Sequence, residues 1–271
     1  MRVRIRHEIT QSFEPDTRNA AVTLHLSPRS HEGQFIQRWV LDVDCDSRLY
    51  GHEDAFGNLC HTFSVDGPAD TLTVIAQGEV ETRDTTGVVR GTVERLPPEV
   101  YLRQTELTHP GEAIHAFVEE LDLKARPDPL SRLHALMVAI HEAVREGEGP
   151  AVAEPLTAEA ALEAKLACAA GISPLFTSAA RLAGLPARHV SGYFALDEVG
   201  TTRHWAEAYA PEFGWIAFDS GKNLCATENH VRLSVGLDAV SVAPPRAMGL
   251  RQQEVVSALE PRRQAQNQAQ S

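Results

Sequence analysis

Three runs late in the chain, ARHVSGYF (187–194), HWAEAYA (204–210) and GWIAFD (214–219), decide the fold. Each reads as a strand, and the segments before them carry helical patterns. In SRLHALMVAIHEAV (131–144), Leu133, Met137, Ile140 and Val144 fall at i, i+4, i+7 and i+11, one stripe of an amphipathic core helix. TAEAALEAKL (157–166) reads as a second helix capped by Thr157, and PLFTSAARLAG (174–184) as a third ended by Gly184. Further out, from Met1 to about Thr92, the chain alternates with period two in VRIRHEIT, AAVTLHL, RWVLDVD, CHTFSVD and DTLTVIAQGEVETR. That texture is an antiparallel β domain, with DAFGN (54–58) as a hairpin turn between two of its strands.

Strands, then helices, then a second sheet make an α+β protein. Its expected division is a β-sandwich-like domain over 1–94, a proline-rich linker over 95–110, an α+β core over 111–245 and a polar tail over 246–271. The end of that tail has a disordered composition.

Composition excludes several functions. Lys plus Arg number 25 against 37 Asp plus Glu, a formal charge of -12, which repels nucleic acid and anionic lipid. MRVRIRHEIT lacks the continuous apolar segment of a signal peptide, and even the apolar stretch LHALMVAIHEAV carries His134, His141 and Glu142, so no membrane span is expected. The four cysteines, Cys45, Cys60, Cys168 and Cys225, have neither CxxC spacing nor the density of a disulfide scaffold, which favours the cytoplasm. His134 and His141 lie seven apart on one helix face, too widely spaced and too few for zinc. No metal and no cofactor is expected.

GLPARHVSGYF (184–194), HWAEAYAPEFGWIAFD (204–219) and NHVRLSVGLD (229–238) together resemble the core of the bacterial transglutaminase-like proteins, and the early strands with DAFGN and YLRQTEL resemble that family's N-terminal β domain. The resemblance implies a papain-like core in which a Cys at a helix start, a His on one strand and an Asp on the next act together on an amide. It also implies a protein or peptide partner, since such relatives accompany ATP-grasp, amide-forming systems. The thiol must be ionised by a helix N-terminus and an imidazolium, and the carboxylate must orient the imidazole.

Measured against that pattern, this chain is displaced. The family writes its nucleophile as GxGxCxD, fifteen residues before the Gly of the GLPAR motif, and counting back from Gly184 gives Ala169, with Cys168 one place early. The family writes its histidine as HAWAE, four before the Glu; counting back from Glu207 gives Arg203, with His204 one place late. On a strand that shift turns His204 to the opposite face, with Ala206 and Ala208, while Arg203 shares a face with Trp205, Glu207 and Tyr209. Asp219 alone is in register. A proline adds to the displacement: a helix starting at Cys168 would enclose Pro174 at a cost of ~3 kcal/mol, whereas Ser173 as N-cap and Pro174 at N1 are both favoured. That reading puts Cys168 outside the helix dipole.

The expectation is therefore a degenerate, non-catalytic member acting by binding, with Ala169 and Arg203 in the catalytic places. Its alternative is an active cysteine amidase, protease or transglutaminase using Cys168, His204 and Asp219. Trp205, Tyr193 and Trp215 are core aromatics or line a peptide cleft, and Arg188 is expected to hold a carboxylate or carbonyl structurally.

Overall fold

The computed structural model describes residues 1–13, 19–67, 70–147, 156–196, 202–243 and 250–262, the last of these as backbone. In chain order the first strands are β1 (Arg2–Phe13), β2 (Asn19–Ser27), β3 (Gln34–Val43), β4 (Tyr50–Glu53), β5 (Leu59–Asp66), β6 (Thr71–Thr82) and β7 (Val88–Val89). Next come α1 (Glu112–Glu120), α2 (Pro129–Ala143), β8 (Arg145–Glu146), α3 (Ala158–Ala164), β9 (Leu166–Ala167) and α4 (Ala169–Leu182). The chain ends with β10 (Ala187–Phe194), β11 (Arg203–Ala210), β12 (Gly214–Asp219), β13 (Leu224–Cys225), β14 (His230–Gly236) and β15 (Leu250–Arg262).

Alternation builds the N-terminal unit. Along β1 every second side chain is buried, and Val3, Ile5 and Ile9 meet Val22, Leu24, Phe63, Leu72 and Val74 in one apolar core. One sheet has the order β15-β1-β6-β3 and the other β2-β5-β4. DAFGN joins β4 to β5, with Gly57 at φ +82° supplying the left-handed turn residue.

At three boundaries the structure adds contacts that no sequence pattern announces. The segment read as a polar tail contains β15, which pairs antiparallel with β1 along its whole length; residues 263–271, where disorder was expected, lie outside the described residues. A strand added at a sheet edge is recruited by the backbone groups β1 offers, and its own polar composition conceals it. The proline-rich linker is packed rather than loose: Pro98–Leu102 form a short 3-10 helix whose Tyr101 is fully buried, edge-on to Trp215. β7, assigned to the β domain by sequence, pairs with β12 of the core sheet.

The core sheet runs β13-β12-β11-β10-β14, with β7 also on β12. Helices cover one face, where Ala206, Ala208, Ile216 and Phe218 meet Leu136, Ile140, Leu175 and Phe176. The α2 stripe is inward as its spacing demands, and Thr157 caps α3 by accepting from Ala160 N–H at 3.2 Å. The β domain lies against the other side: Tyr193, Val231 and Leu233 belong to its apolar core. Two buried amides stitch the units. Gln34 bonds both backbone groups of Arg232, at 2.9 and 2.8 Å, and Asn58 bonds both of Val235, at 2.7 and 2.8 Å. Each amide imitates a strand neighbour, satisfying backbone that burial would otherwise orphan.

Candidate active site

The helix that should carry a nucleophile starts earlier than its proline suggests. α4 begins at Ala169, and Cys168 is its half-buried N-cap, with extended backbone and a carbonyl that accepts from Gly171 and Ile172 N–H at 2.9 and 3.0 Å. Pro174 lies inside the helix, so the expectation of a start at Ser173 is overturned. Tertiary pairing outweighs the local penalty. β9, immediately before Cys168, pairs in parallel with β8, and Gly147 N–H bonds Ala167 O at 3.0 Å, which fixes the chain at the helix entrance. Ser173, freed from capping, donates its hydroxyl to Trp205 O at 2.6 Å. Cys168 thus keeps the helix dipole it was expected to lose, and Ala169 stands at the first helical position.

Arg203 occupies the family's histidine place and takes the family's carboxylate. Its Nε and Nη2 donate to Asp219 at 2.8 and 2.5 Å. On its other side it forms a second fork with Glu146, Nη2 to Oε2 being 2.9 Å. Because Glu146 is on β8, beside Ala167, this fork ties β11 to the entrance of α4. Asp219 also faces His230 Nε2 at 3.3 Å and accepts from Lys222 N–H at 3.2 Å. Arg203 is 4% exposed and Asp219 1%. Burial pushes the Asp219 carboxyl up, but the bonds from His230 and Arg203 overcome it and hold the group at about 2. The carboxylate that would orient an imidazole is engaged by a guanidinium.

His204 points the other way, on the face of β11 that carries Ala206 and Ala208 toward the helices. Its Nδ1 lies 2.9 Å from His189 Nε2 and its Nε2 lies 3.2 Å from Thr202 Oγ1. The protons follow from connectivity. Ser173 spends its hydrogen on Trp205 O, so at 2.9 Å it accepts from His189 Nδ1–H. His189 Nε2 is then an acceptor and His204 Nδ1 the donor. Burial, then the neighbouring His204 and Arg181, push His189 well below the ordinary histidine value, keeping it neutral. The bonds of the described residues therefore join Asp219 to Arg203 and His230, and His204 to His189 and Thr202, instead of assembling Cys168, His204 and Asp219.

Of the two roles expected for the aromatic residues, core or cleft lining, the interior one is where they lie. Tyr193, Trp205 and Trp215 are 0%, 2% and 5% exposed, because both faces of the core sheet are covered. Tyr193 OH bonds His7 Nδ1 at 2.9 Å, and Trp215 lies under the Arg188 guanidinium, 3.9 Å from its centroid. Arg188 has the structural role expected of it. It donates to Glu207 at 2.7 Å and grips Glu94 through both Nη atoms, while Arg232 reaches the same Glu207 at 2.7 Å. Burial raises the Glu207 carboxyl, and the two arginines bring it down to about 2. His141 bonds Ser220 O at 3.1 Å and His134 packs edge-on against Phe218, so the two helix histidines serve separate contacts. Glu146, His189, Ser173 and His230 went unforeseen: they come from four separate elements, and no sequence spacing announces their meeting. Among the described residues the group fit to ligate a metal lies elsewhere, at the β4–β5 hairpin.

Residues 3–81 match the bacterial transglutaminase-like N-terminal region and residues 115–220 match the transglutaminase-like superfamily. No curated protein matches the chain. Among solved structures, a candidate cysteine protease from Cytophaga hutchinsonii is 17% identical with a TM-score of 0.74, over 96% of this chain and 89% of that one. The periplasmic domain of TgpA from Pseudomonas aeruginosa, bound to ethylmercury, is 15% identical with a TM-score of 0.42, over 81% and 90%.

Proposed function

The chain belongs to the bacterial transglutaminase-like proteins, and from that premise we propose that it is a member in which binding has replaced catalysis. The observation that carries this reading is the Glu146–Arg203–Asp219 network. A general base must take and return a proton near neutral pH, and a guanidinium does neither. Ala169, at the nucleophile place, offers no nucleophile. The site that remains is a charged, fully paired structure at the entrance of α4, suited to holding that entrance in one shape for a protein or peptide partner, such as a component of an amide-ligase system. Four free cysteines support a reducing, cytoplasmic setting.

One observation favours a second reading. Cys168 caps α4, and a thiol at a helix N-terminus is activated by the dipole. An enzyme built on Cys168 would still need an imidazole, and His204 is the nearest in sequence to the family position.

Alkylation separates the two. The rate at Cys168 is followed against pH by peptide mass spectrometry, in the native protein and in His204→Ala. We expect Cys168 to react no faster than Cys45 or Cys225 and to be indifferent to the substitution. Alkylation of Cys168 much faster than of those thiols at neutral pH, abolished by His204→Ala, would overturn the binding reading and establish a working pair.

A further inference from the structure

The β4–β5 hairpin and its neighbour β2 gather three metal-binding side chains that the site at α4 does not use. His25 is on β2, Asp54 opens the DAFGN loop and Cys60 is on β5, and one ligand atom from each lies within 4.8 Å of the other two. The loop presets the carboxylate. Asp54 Oδ1 accepts from Phe56 and Asn58 N–H at 2.8 Å each, and Oδ2 accepts from Asn58 Nδ2 at 2.7 Å. Since Asn58 is itself bonded to Val235, the orientation of Asp54 is tied to the core sheet. This is the outer-shell support that metal-binding carboxylates carry.

One lone pair of Oδ2 remains, and His25 Nε2 lies 3.6 Å from that oxygen. The distance is beyond a hydrogen bond. Two ligands of a tetrahedral zinc ion, each held at about 2.0–2.2 Å, stand roughly 3.3–3.6 Å apart. His25 is 6% exposed, so its ring is held in the interior with Nε2 turned toward the Asp54 carboxylate. Cys60 is 1% exposed, with a weak contact to Asn58 O at 3.8 Å and the Asp54 carboxylate beside it.

We propose that His25 Nε2, Asp54 Oδ2 and Cys60 Sγ bind a borderline-soft divalent cation of the zinc type, with water as the fourth ligand. The donor set selects the ion: thiolate and imidazole disfavour magnesium and calcium. Binding forms a metal–sulfur bond and releases the Cys60 proton to solvent. Burial and the Asp54 charge oppose the thiolate in the metal-free protein, and a bound dication offsets both. Cys60 also lines an open groove of ≈ 1070 Å³ between β3 and the hairpin, together with Trp39, His52 and His61. The ion would fasten β2 to the loop that anchors the β domain on β14.

The test uses the full chain, stripped with chelator and titrated with Co²⁺ as a spectroscopic probe. We expect thiolate-to-cobalt charge transfer and tetrahedral d–d bands that saturate at a single equivalent and vanish when Zn²⁺ is added, together with a higher melting temperature. Cys60→Ser should abolish the charge-transfer band and His25→Gln should weaken binding at least tenfold. A wild-type titration that gives only octahedral cobalt, or a thiolate band that survives Cys60→Ser, overturns the proposal. The wild-type spectrum decides even where a variant does not fold.

Discussion

Replacing Arg203 with methionine removes the guanidinium from the site while keeping a long apolar stem. Asp219, 1% exposed, and Glu146 then lose their forks, and Asp219 retains only His230 and one backbone N–H. Taking one partner from a buried ion pair costs about 3–5 kcal/mol, and at roughly 2–4 °C per kcal/mol for a chain of this size the melting temperature should fall by about 6–20 °C. The loss must also depend on pH. Asp219 sits at about 2 in the folded protein against an ordinary 3.8, so its stabilising contribution is complete above the ordinary value and disappears as pH falls through the folded one. That gap is worth about 2 kcal/mol. In Arg203→Met, burial is opposed by fewer partners, the folded value rises and the contribution shrinks at every pH. The difference between native protein and variant should therefore be largest at neutral pH and narrow by about 2 kcal/mol between pH 5 and pH 2. Urea unfolding followed by tryptophan fluorescence at several pH values measures it, and Arg203→Met with Asp219→Asn should recover part of the loss. A cost below about 1 kcal/mol at pH 7, or one that does not vary with pH, would refute the buried-network reasoning.

Two further outcomes test the frame around the sites. Gly57→Ala places a Cβ 2.5 Å from Val93 O at a residue with φ +82°, and the clash with left-handed strain should cost about 2 kcal/mol or more; an unchanged thermal melt would show that the DAFGN loop bends freely. Ending the chain at Ala243 removes β15 and leaves the outer edge of β1 unpaired, so the melting temperature should fall and association should increase with concentration. A monomer by size-exclusion chromatography with the native melting temperature would mean that β15 adds nothing to the sheet.

The division between sequence and structure runs along the range of the interactions. Alternation in β1 and β6, the stripe Leu133, Met137, Ile140 and Val144, the Thr157 cap and the stop at Gly184 were legible because each is a pattern within a few residues, and burial acts on that period. Counting from GLPAR and WAE likewise placed Ala169 and Arg203, and strand alternation alone sent His204 to the far face. The start of α4 was misread for the same reason. Ser173 and Pro174 carry strong local preferences, worth a few kcal/mol, whereas the β8–β9 pairing that overrides them joins residues about twenty apart. The sequence by itself therefore determined the fold class, the family likeness and the identity of the residues at the catalytic places. Only the tertiary structure decided what those residues do: that Arg203 is clamped by Glu146 as well as Asp219, that β15 closes onto β1, and that His25, Asp54 and Cys60 converge. These are contacts between distant segments, and their partners are chosen by how the sheets and helices pack, which no local pattern encodes.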